Sequence, residues 1–86
     1  MTIWIKDDSE KVHLGISGDV SREHIEFLQM KILDRIHSGY RRIIIDMNRV
    51  RTFDSHGLDM LKQFHLQVAT IGVQLVIEDE HGIVKQ

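Results

Sequence analysis

The sequence contains no cysteine and no proline, and only 6% of its residues are aromatic. Without cysteine the chain can form no disulfide framework and no zinc–thiolate site. Without proline, the ends of helices and strands must be read from Gly, Asn, Asp and Ser. No apolar run is long enough to cross a bilayer, and the N-terminus turns acidic at Asp7, too early for a signal peptide. We therefore expect a cytoplasmic protein with no membrane partner.

The charge of the chain is nearly balanced. Its 11 Lys and Arg and 13 Asp and Glu give a formal net charge of −2, so no excess of positive charge indicates a nucleic-acid partner. The six histidines lack the spacing of metal ligands, and we predict neither a metal site nor a cofactor. The 86 residues predict a single domain, 1–86, with one small core.

Apolar periodicity predicts the element order β-β-α-β-α-β. Thr2–Lys6 and Lys11–Ser17 alternate as the strands of a hairpin do. A first helix is predicted from Arg22 to Ser38, with Ser21 as N-cap and Gly39 as its C-terminal stop. Its apolar stripe has helical spacing and comprises Ile25, Leu28, Ile32, Leu33 and Ile36.

A second helix is predicted from Ser55 to Gly72, followed by a strand at Val73–Ile77. The stripe of this helix comprises Leu58, Leu61, Phe64, Val68 and Ile71. Glu78–Glu80 is interpreted as a solvated acidic run, and Gly82–Gln86 is too short to assign.

The third strand, Ile43–Ile45, is apolar at every position, which favours a central strand covered on both faces or nearly so. Met47–Phe53 is predicted to be a loop anchored by Val50 and Phe53. The predicted core comprises Leu14, Ile16, Ile44, Leu61 and Phe64.

Strand–helix–strand units favour parallel pairing with right-handed crossovers. The predicted fold is therefore a small α/β domain, with a mixed sheet of four to five strands and helices mainly on one face. The opposite face must then be covered by something else or bind a partner. The second and third strands end at one edge, where open α/β sheets bind ligands. Asp19 and Ser21 at one strand end, and Asp54 and Ser55 at the other, are expected to be neighbours.

Asp54 and Ser55 are both good N-caps, and capping alone could account for them. Gly57 is harder to explain, because a glycine in the first turn costs about 1 kcal/mol relative to alanine. It indicates either a close approach of the backbone or a surface that a partner needs open. A phosphate on Ser55 would add about −1.5 to −2 charges. The free amides and dipole of a helix N-terminus would tolerate that charge.

Asp54-Ser55-x-Gly57-Leu58, placed between an apolar strand and a helix, resembles the STAS domain of bacterial anti-sigma factor antagonists. Leu14-x-Ile16-x-Gly18 resembles the second strand of that family, and the resemblance extends from Lys11 to Ile77. It implies a switch protein and not an enzyme, with Ser55 as the phosphorylation site. The implied partners are a serine kinase of the GHKL type, often itself the anti-sigma factor, and a PP2C-type phosphatase. The implied output is transcription through a sigma factor, or another response such as biofilm formation or secretion.

We expect the partner-binding surface to comprise Asp19, Ser21, Asp54, His56, Gly57 and Leu58. Three features depart from the family pattern. Ser21 stands where many members carry an acidic residue, and His56 where a small residue is usual. The further helix that often follows the last strand is expected to be missing or vestigial.

The same residues are compatible with two other interpretations. Asp54, Ser55 and His56 contain the residue types of a hydrolase triad, but neighbours on a helix point about 100° apart and cannot align as one. The alternative function is a non-catalytic structural STAS subunit, as in lipid-transport or stress-signalling complexes. The presence of a phosphorylatable serine favours the switch.

Overall fold

The computed structural model describes residues 1–80 of the chain. The element order is the predicted one, and the assignment of Gly82–Gln86 lies outside the described residues. The elements are β1 (Thr2–Asp7), β2 (Lys11–Val20), α1 (Arg22–His37), β3 (Arg42–Phe53), α2 (Ser55–Ala69) and β4 (Gln74–Glu78).

The strands form one four-stranded sheet in the order β1-β2-β3-β4. β1 is antiparallel to β2, and β2–β3 and β3–β4 are parallel pairs. Each parallel pair is connected by a helix, and the buried residues of both helices join the same cluster on one face of the sheet. The structure therefore confirms the predicted α/β fold, with a mixed sheet and helices on one face.

The core lies between the helices and this covered face. Leu14, Ile16, Leu61 and Phe64 are buried as predicted, but Ile44 is only half-buried. Its neighbours Ile43 and Ile45 are both 0% exposed. The prediction that this strand is covered on both faces is wrong. Successive side chains alternate between faces, and within residues 1–80 the helices cover one face only.

The prediction of a loop at Met47–Phe53 is also wrong, since β3 continues through Phe53. β2 likewise continues past Ser17 to Val20, and the two extensions pair with each other. Register shifts occur between Gly15 and Ser17 and between Gly18 and Asp19. A bulge inserts a residue and breaks the period-two pattern. The apolar alternation that would have identified these strand ends is therefore absent from the sequence.

Three smaller predictions need correction. Leu33 is 39% exposed and lies beside the buried stripe of α1, not within it. Ile71 is 60% exposed, because α2 ends at Ala69 and Ile71 lies in the turn before β4. Asp79 is only 8% exposed and is not part of a solvated acidic run.

Candidate functional site

The ends of β2 and β3 are joined directly. The backbone N–H of Asp54 donates a hydrogen bond of 3.0 Å to the carbonyl oxygen of Val20. The Thr52 hydroxyl donates to the Asp19 carboxylate at 2.8 Å, and Arg51 forms an ion pair of 3.3 Å with the same carboxylate. These contacts bring the two predicted halves of the site to one edge of the sheet. Asp19, Ser21 and Asp54 line the same open cavity of about 410 Å³ there.

Ser21 begins α1 with a capping box. Its hydroxyl accepts a hydrogen bond of 3.3 Å from the backbone N–H of His24, and His24 Nδ1 accepts one of 3.0 Å from the backbone N–H of Ser21. Ser21 was predicted as the N-cap from the sequence, but His24 was not predicted as its partner in the capping box. The available signal was its position three residues after the cap, where Glu or Gln usually closes the box.

Asp54 is the N-cap of α2, since its Oδ1 accepts a hydrogen bond of 3.0 Å from the backbone N–H of Gly57. The sequence left the cap open between Asp54 and Ser55, and the structure assigns it to Asp54. Ser55 is the first residue of the helix and is exposed, as is His56. Leu58 is half-buried against the core. The Ser55 hydroxyl is therefore at the surface and is not the capping group.

Gly57 is buried where the two helices approach each other. A Cβ atom at this position would lie 3.1 Å from Ile25 Cγ1 and 3.5 Å from the Cα of Arg22. The first of these contacts is tighter than side chains normally allow, so glycine permits α2 to start directly against the first turns of α1. Gly57 contributes to the site by setting this spacing.

The start of α1 adds charges that the sequence analysis did not place in the site. The pKa of Glu23 is lowered, first by a hydrogen bond from its own backbone N–H and then by one from the Ser21 hydroxyl. The negative charge of Asp54 opposes this shift and raises the pKa of Glu23, which places the two carboxylates within electrostatic reach of each other. Glu23 therefore adds a carboxylate near Asp54 at the start of α1.

A second groove, of about 460 Å³, runs between α1 and α2 from the start of α2. Arg22 and His56 lie at the end nearest Ser55, and amide side chains line its length. The sequence analysis included His56 but missed the other polar lining residues. They share the flank of each helix beside its buried stripe, at helical spacing: Arg22, Gln29, Asp59, Gln63 and Gln67.

Within residues 1–80, no group of three or more His, Asp or Glu side chains is placed to hold a metal ion. None of the helices in that range is long and apolar enough to span a membrane.

The family model of the STAS domain matches residues 5–86. The chain belongs to the STAS domain family. This confirms the resemblance based on the second strand and on Asp54-Ser55-x-Gly57-Leu58. No curated protein sequence matches this STAS domain significantly.

Solved structures similar to this STAS domain include two forms of one regulator. The anti-sigma factor antagonist SpoIIAA in its unphosphorylated form is 18% identical with a TM-score of 0.72, and the match covers 88% of this chain and 71% of that one. The Bacillus cell fate determinant SpoIIAA in the phosphorylated form is 18% identical with a TM-score of 0.71, covering 86% and 68%.

A crystal structure of Mglu is 20% identical with a TM-score of 0.82, covering 93% of this STAS domain but only 20% of the Mglu chain. The chain thus spans about a fifth of the Mglu chain that it matches. At these identities the likeness to Mglu and to SpoIIAA shows the fold alone.

Proposed function

We propose that this STAS domain is a phosphorylation switch whose acceptor is Ser55, and that it works by binding partners and not by catalysis. One observation carries the proposal. Ser55 is exposed as the first residue of α2, while Asp54 supplies the cap. The hydroxyl is therefore accessible to a kinase, and its modification removes no capping hydrogen bond.

The position suits a phosphate electrostatically. The first amides of a helix lack partners within the helix, and the N-terminal end of its dipole is positive. The carboxylates of Asp19, Glu23 and Asp54 lie around the same edge of the sheet, and only Asp19 among them is paired with an arginine, Arg51. Phosphorylation would therefore make this edge more negative. A partner that recognises the unmodified surface would then meet repulsion and a desolvation cost, while the fold stays intact.

The proposed partners are a serine kinase of the GHKL type, acting also as an anti-sigma factor, and a PP2C-type phosphatase that restores the unmodified form. Both would act in the cytoplasm, on a sigma factor or on another output such as biofilm formation. The fold shared with SpoIIAA supports this assignment, because that anti-sigma factor antagonist has been solved in unphosphorylated and phosphorylated forms.

The proposed binding surface comprises the side chains that the structure leaves accessible around Ser55. Asp19, Asp54 and His56 are exposed, and Ser21 and Leu58 are partly exposed. Gly57 acts indirectly, by holding α2 against α1. Asp54 Oδ1 accepts a hydrogen bond from the backbone N–H of Gly57, so this carboxylate serves as the cap of α2.

The test is to incubate the protein with its cognate kinase and ATP and to locate the phosphate by mass spectrometry. We expect phosphate on Ser55, none on the Ser55→Ala variant, and normal phosphorylation of a Ser38→Ala control. Ser38 is an exposed serine at the opposite, C-terminal end of a helix. Ser55→Asp should weaken kinase binding and Ser55→Ala should retain it.

Ser55→Ala should leave the free energy of unfolding nearly unchanged, whereas Asp54→Ala should cost about 1 kcal/mol through loss of the cap. This difference separates effects on recognition from effects on folding. Phosphate on another residue, or unchanged kinase affinity of Ser55→Asp, would instead favour a structural STAS subunit of a larger assembly.

A further inference from the structure

The face of the sheet opposite the helices is open in the part of the chain that the structure describes. Trp4 is 46% exposed and Val76 36% exposed on this open face, and Ile44 is half-buried between them. The Trp4 ring lies 5.6 Å from the His13 ring, and its indole fills the space that a side chain on Gly15 would occupy. The open face therefore carries exposed apolar side chains on β1, β3 and β4.

The strand register places three neighbouring rows of residues on the open face, each crossing the strands. The basic row is Lys11, Arg42 and Gln74. The middle row is Lys6, His13, Ile44 and Val76. The acidic row is Trp4, Gly15, Asp46 and Glu78.

The three rows are evenly spaced. On β3, Ile44 lies two residues from Arg42 on one side and two residues from Asp46 on the other. The same spacing separates Val76 from Gln74 and from Glu78 on β4. A two-fold axis running along the middle row would therefore place the basic row of one copy against the acidic row of the other.

We propose that the open face is a homodimer interface, with the second copy related by this two-fold axis. Each residue of the middle row then faces itself. Ile44 and Val76 pack against the same residues of the second copy, while Lys6, on the edge strand β1, meets Lys6 at the rim of the patch. Arg42 meets Asp46 of the second copy, and the symmetry makes this ion pair twice, as an isologous interface requires. Lys11 lies opposite Gly15 of the second copy. Because the Trp4 indole covers Gly15, Lys11 can make a cation–π contact with that ring.

The charges on the face favour a second copy over a partner of one sign. A purely acidic partner would face Asp46 and Glu78, and a purely basic one would face Lys11 and Arg42. Within residues 1–80, the contacts that Arg42 and Asp46 already make leave both side chains able to bind. The Nε–H of Arg42 donates a hydrogen bond of 3.2 Å to Oε1 of Gln74, so the two terminal nitrogens of Arg42 remain available. Oδ1 of Asp46 accepts a hydrogen bond of 2.9 Å from the backbone N–H of Asn48, so Oδ2 of Asp46 remains available.

Four strands spaced about 4.8 Å apart make a patch roughly 20 Å on a side, which is small for a specific interface. We therefore expect a weak dimer, with a dissociation constant between about 1 µM and 1 mM. The start of α2 lies at the strand ends and not on the open face, so dimerisation leaves Ser55 exposed. The interface does not depend on the proposed phosphorylation.

The experiment is sedimentation equilibrium of the full chain across that concentration range, combined with the emission of Trp4, the single tryptophan. We expect the mass to rise from monomer to dimer, and Trp4 emission to shift to the blue over the same range. Arg42→Glu should raise the dissociation constant at least about tenfold, because it places like charges together twice. Lys31→Glu, an equal charge reversal on the exposed surface of α1, should leave it unchanged.

The double variant Arg42→Asp with Asp46→Arg should restore dimerisation, because it exchanges the two charges of each pair. Because Asp46 also accepts a hydrogen bond from the backbone N–H of Asn48, circular dichroism must first show that this variant is folded. Ile44→Lys is a second test, at a half-exposed position, and should abolish the dimer. A chain that stays monomeric over the whole range overturns the proposal, and shielding of Trp4 in that monomer would mean that something else covers the face. A dimer that survives both Arg42→Glu and Ile44→Lys overturns it as well.

Discussion

The two faces of the sheet both carry isoleucine side chains of β3, but these side chains are buried on one face and partly exposed on the other. Ile43, Ile44 and Ile45 follow one another in β3, yet the outer two are 0% exposed and the middle one is half-buried. The side chains of Ile43 and Ile45 point at α1 and α2, and that of Ile44 points away from them. Hydrophobicity alone therefore does not say which of the three stabilises the fold.

The difference implies a division of roles between the faces. The covered face holds the large fully buried side chains, so it should account for most of the stability. The open face holds aromatic, apolar and charged side chains in contact with solvent, and losing them costs the monomer little.

The largest contrast is expected within β3. Ile45→Ala should lower the free energy of unfolding by about 2 to 5 kcal/mol, because it leaves a cavity under the helices. Ile44→Ala should cost about 1 kcal/mol or less, since its side chain is already partly solvated. Urea denaturation of both variants at low protein concentration, where the chain is monomeric, measures the two losses. Equal losses would mean that the open face is covered in the monomer.

The same contrast is expected on α2. Leu61 is 0% exposed and Leu66 is 66% exposed on the opposite side of the helix. Leu61→Ala should cost about 2 to 5 kcal/mol, a large part of the stability of so small a domain. Leu66→Ala should change stability by no more than about 0.5 kcal/mol. A loss near zero for Leu61→Ala would contradict the orientation of α2.

A smaller effect is expected from the contact between Trp4 and Gly15. A Cβ at Gly15 would collide with the Trp4 indole, so Gly15→Ala should drive the ring into solvent. We expect a red shift of Trp4 emission and a loss of roughly 1 kcal/mol, because the ring no longer covers the sheet. Ser17→Ala, two residues along the same strand, is the control. Unchanged emission in Gly15→Ala would show that the indole does not lie over Gly15.

The smallest expected effect is on the pH dependence of stability and concerns two exposed carboxylates, one at the start of α1 and one between β1 and β2. The pKa of Glu23 in α1 is lowered by hydrogen bonds from its own backbone N–H and then from the Ser21 hydroxyl. The pKa of Asp8, in the turn before β2, is lowered by hydrogen bonds from the backbone N–H groups of Glu10 and then Lys11. Because each folded pKa lies below the unfolded one, the stabilisation is complete above the unfolded value, about pH 4. It is lost as the pH falls through the folded value.

Glu23→Gln and Asp8→Asn should therefore each make the melting temperature slightly less sensitive to pH between about pH 5 and pH 2. Thermal melts across that range provide the measurement. Glu10→Gln is the matched control, because Glu10 is an exposed carboxylate beside Asp8 that contributes its backbone N–H and not its side chain. Parallel curves for wild type and both variants would contradict the stated causes of the pKa shifts.

Much of the fold followed from local patterns. The starts of both helices were predicted from the change of period at Ser21 and Ser55, and the structure confirms them. The ends of β2 and β3 were missed because bulges interrupt the alternation there. Asp19, Ser21, Asp54 and Ser55 were predicted to group at one edge of the sheet. The first three line one cavity there, and Ser55 follows Asp54 without lining it. Arg22 and Glu23 were missed because their place in the site depends on how α1 packs beside α2.

The sequence by itself determined the order of the elements, most of the buried positions of the helices and the motif at the start of α2. These depend on residues within a few positions of one another, whose spacing sets which side chains share a face. Only the tertiary structure decided that Ile44 is left open, that Asp54 rather than Ser55 is the cap, and that Gly57 lies against Ile25 and Arg22 of α1. The burial of Ile44 and the spacing at Gly57 depend on contacts between segments far apart in the chain. The cap depends on how the chain turns from β3 into α2, at a strand end held to β2 by the bond from Asp54 to Val20.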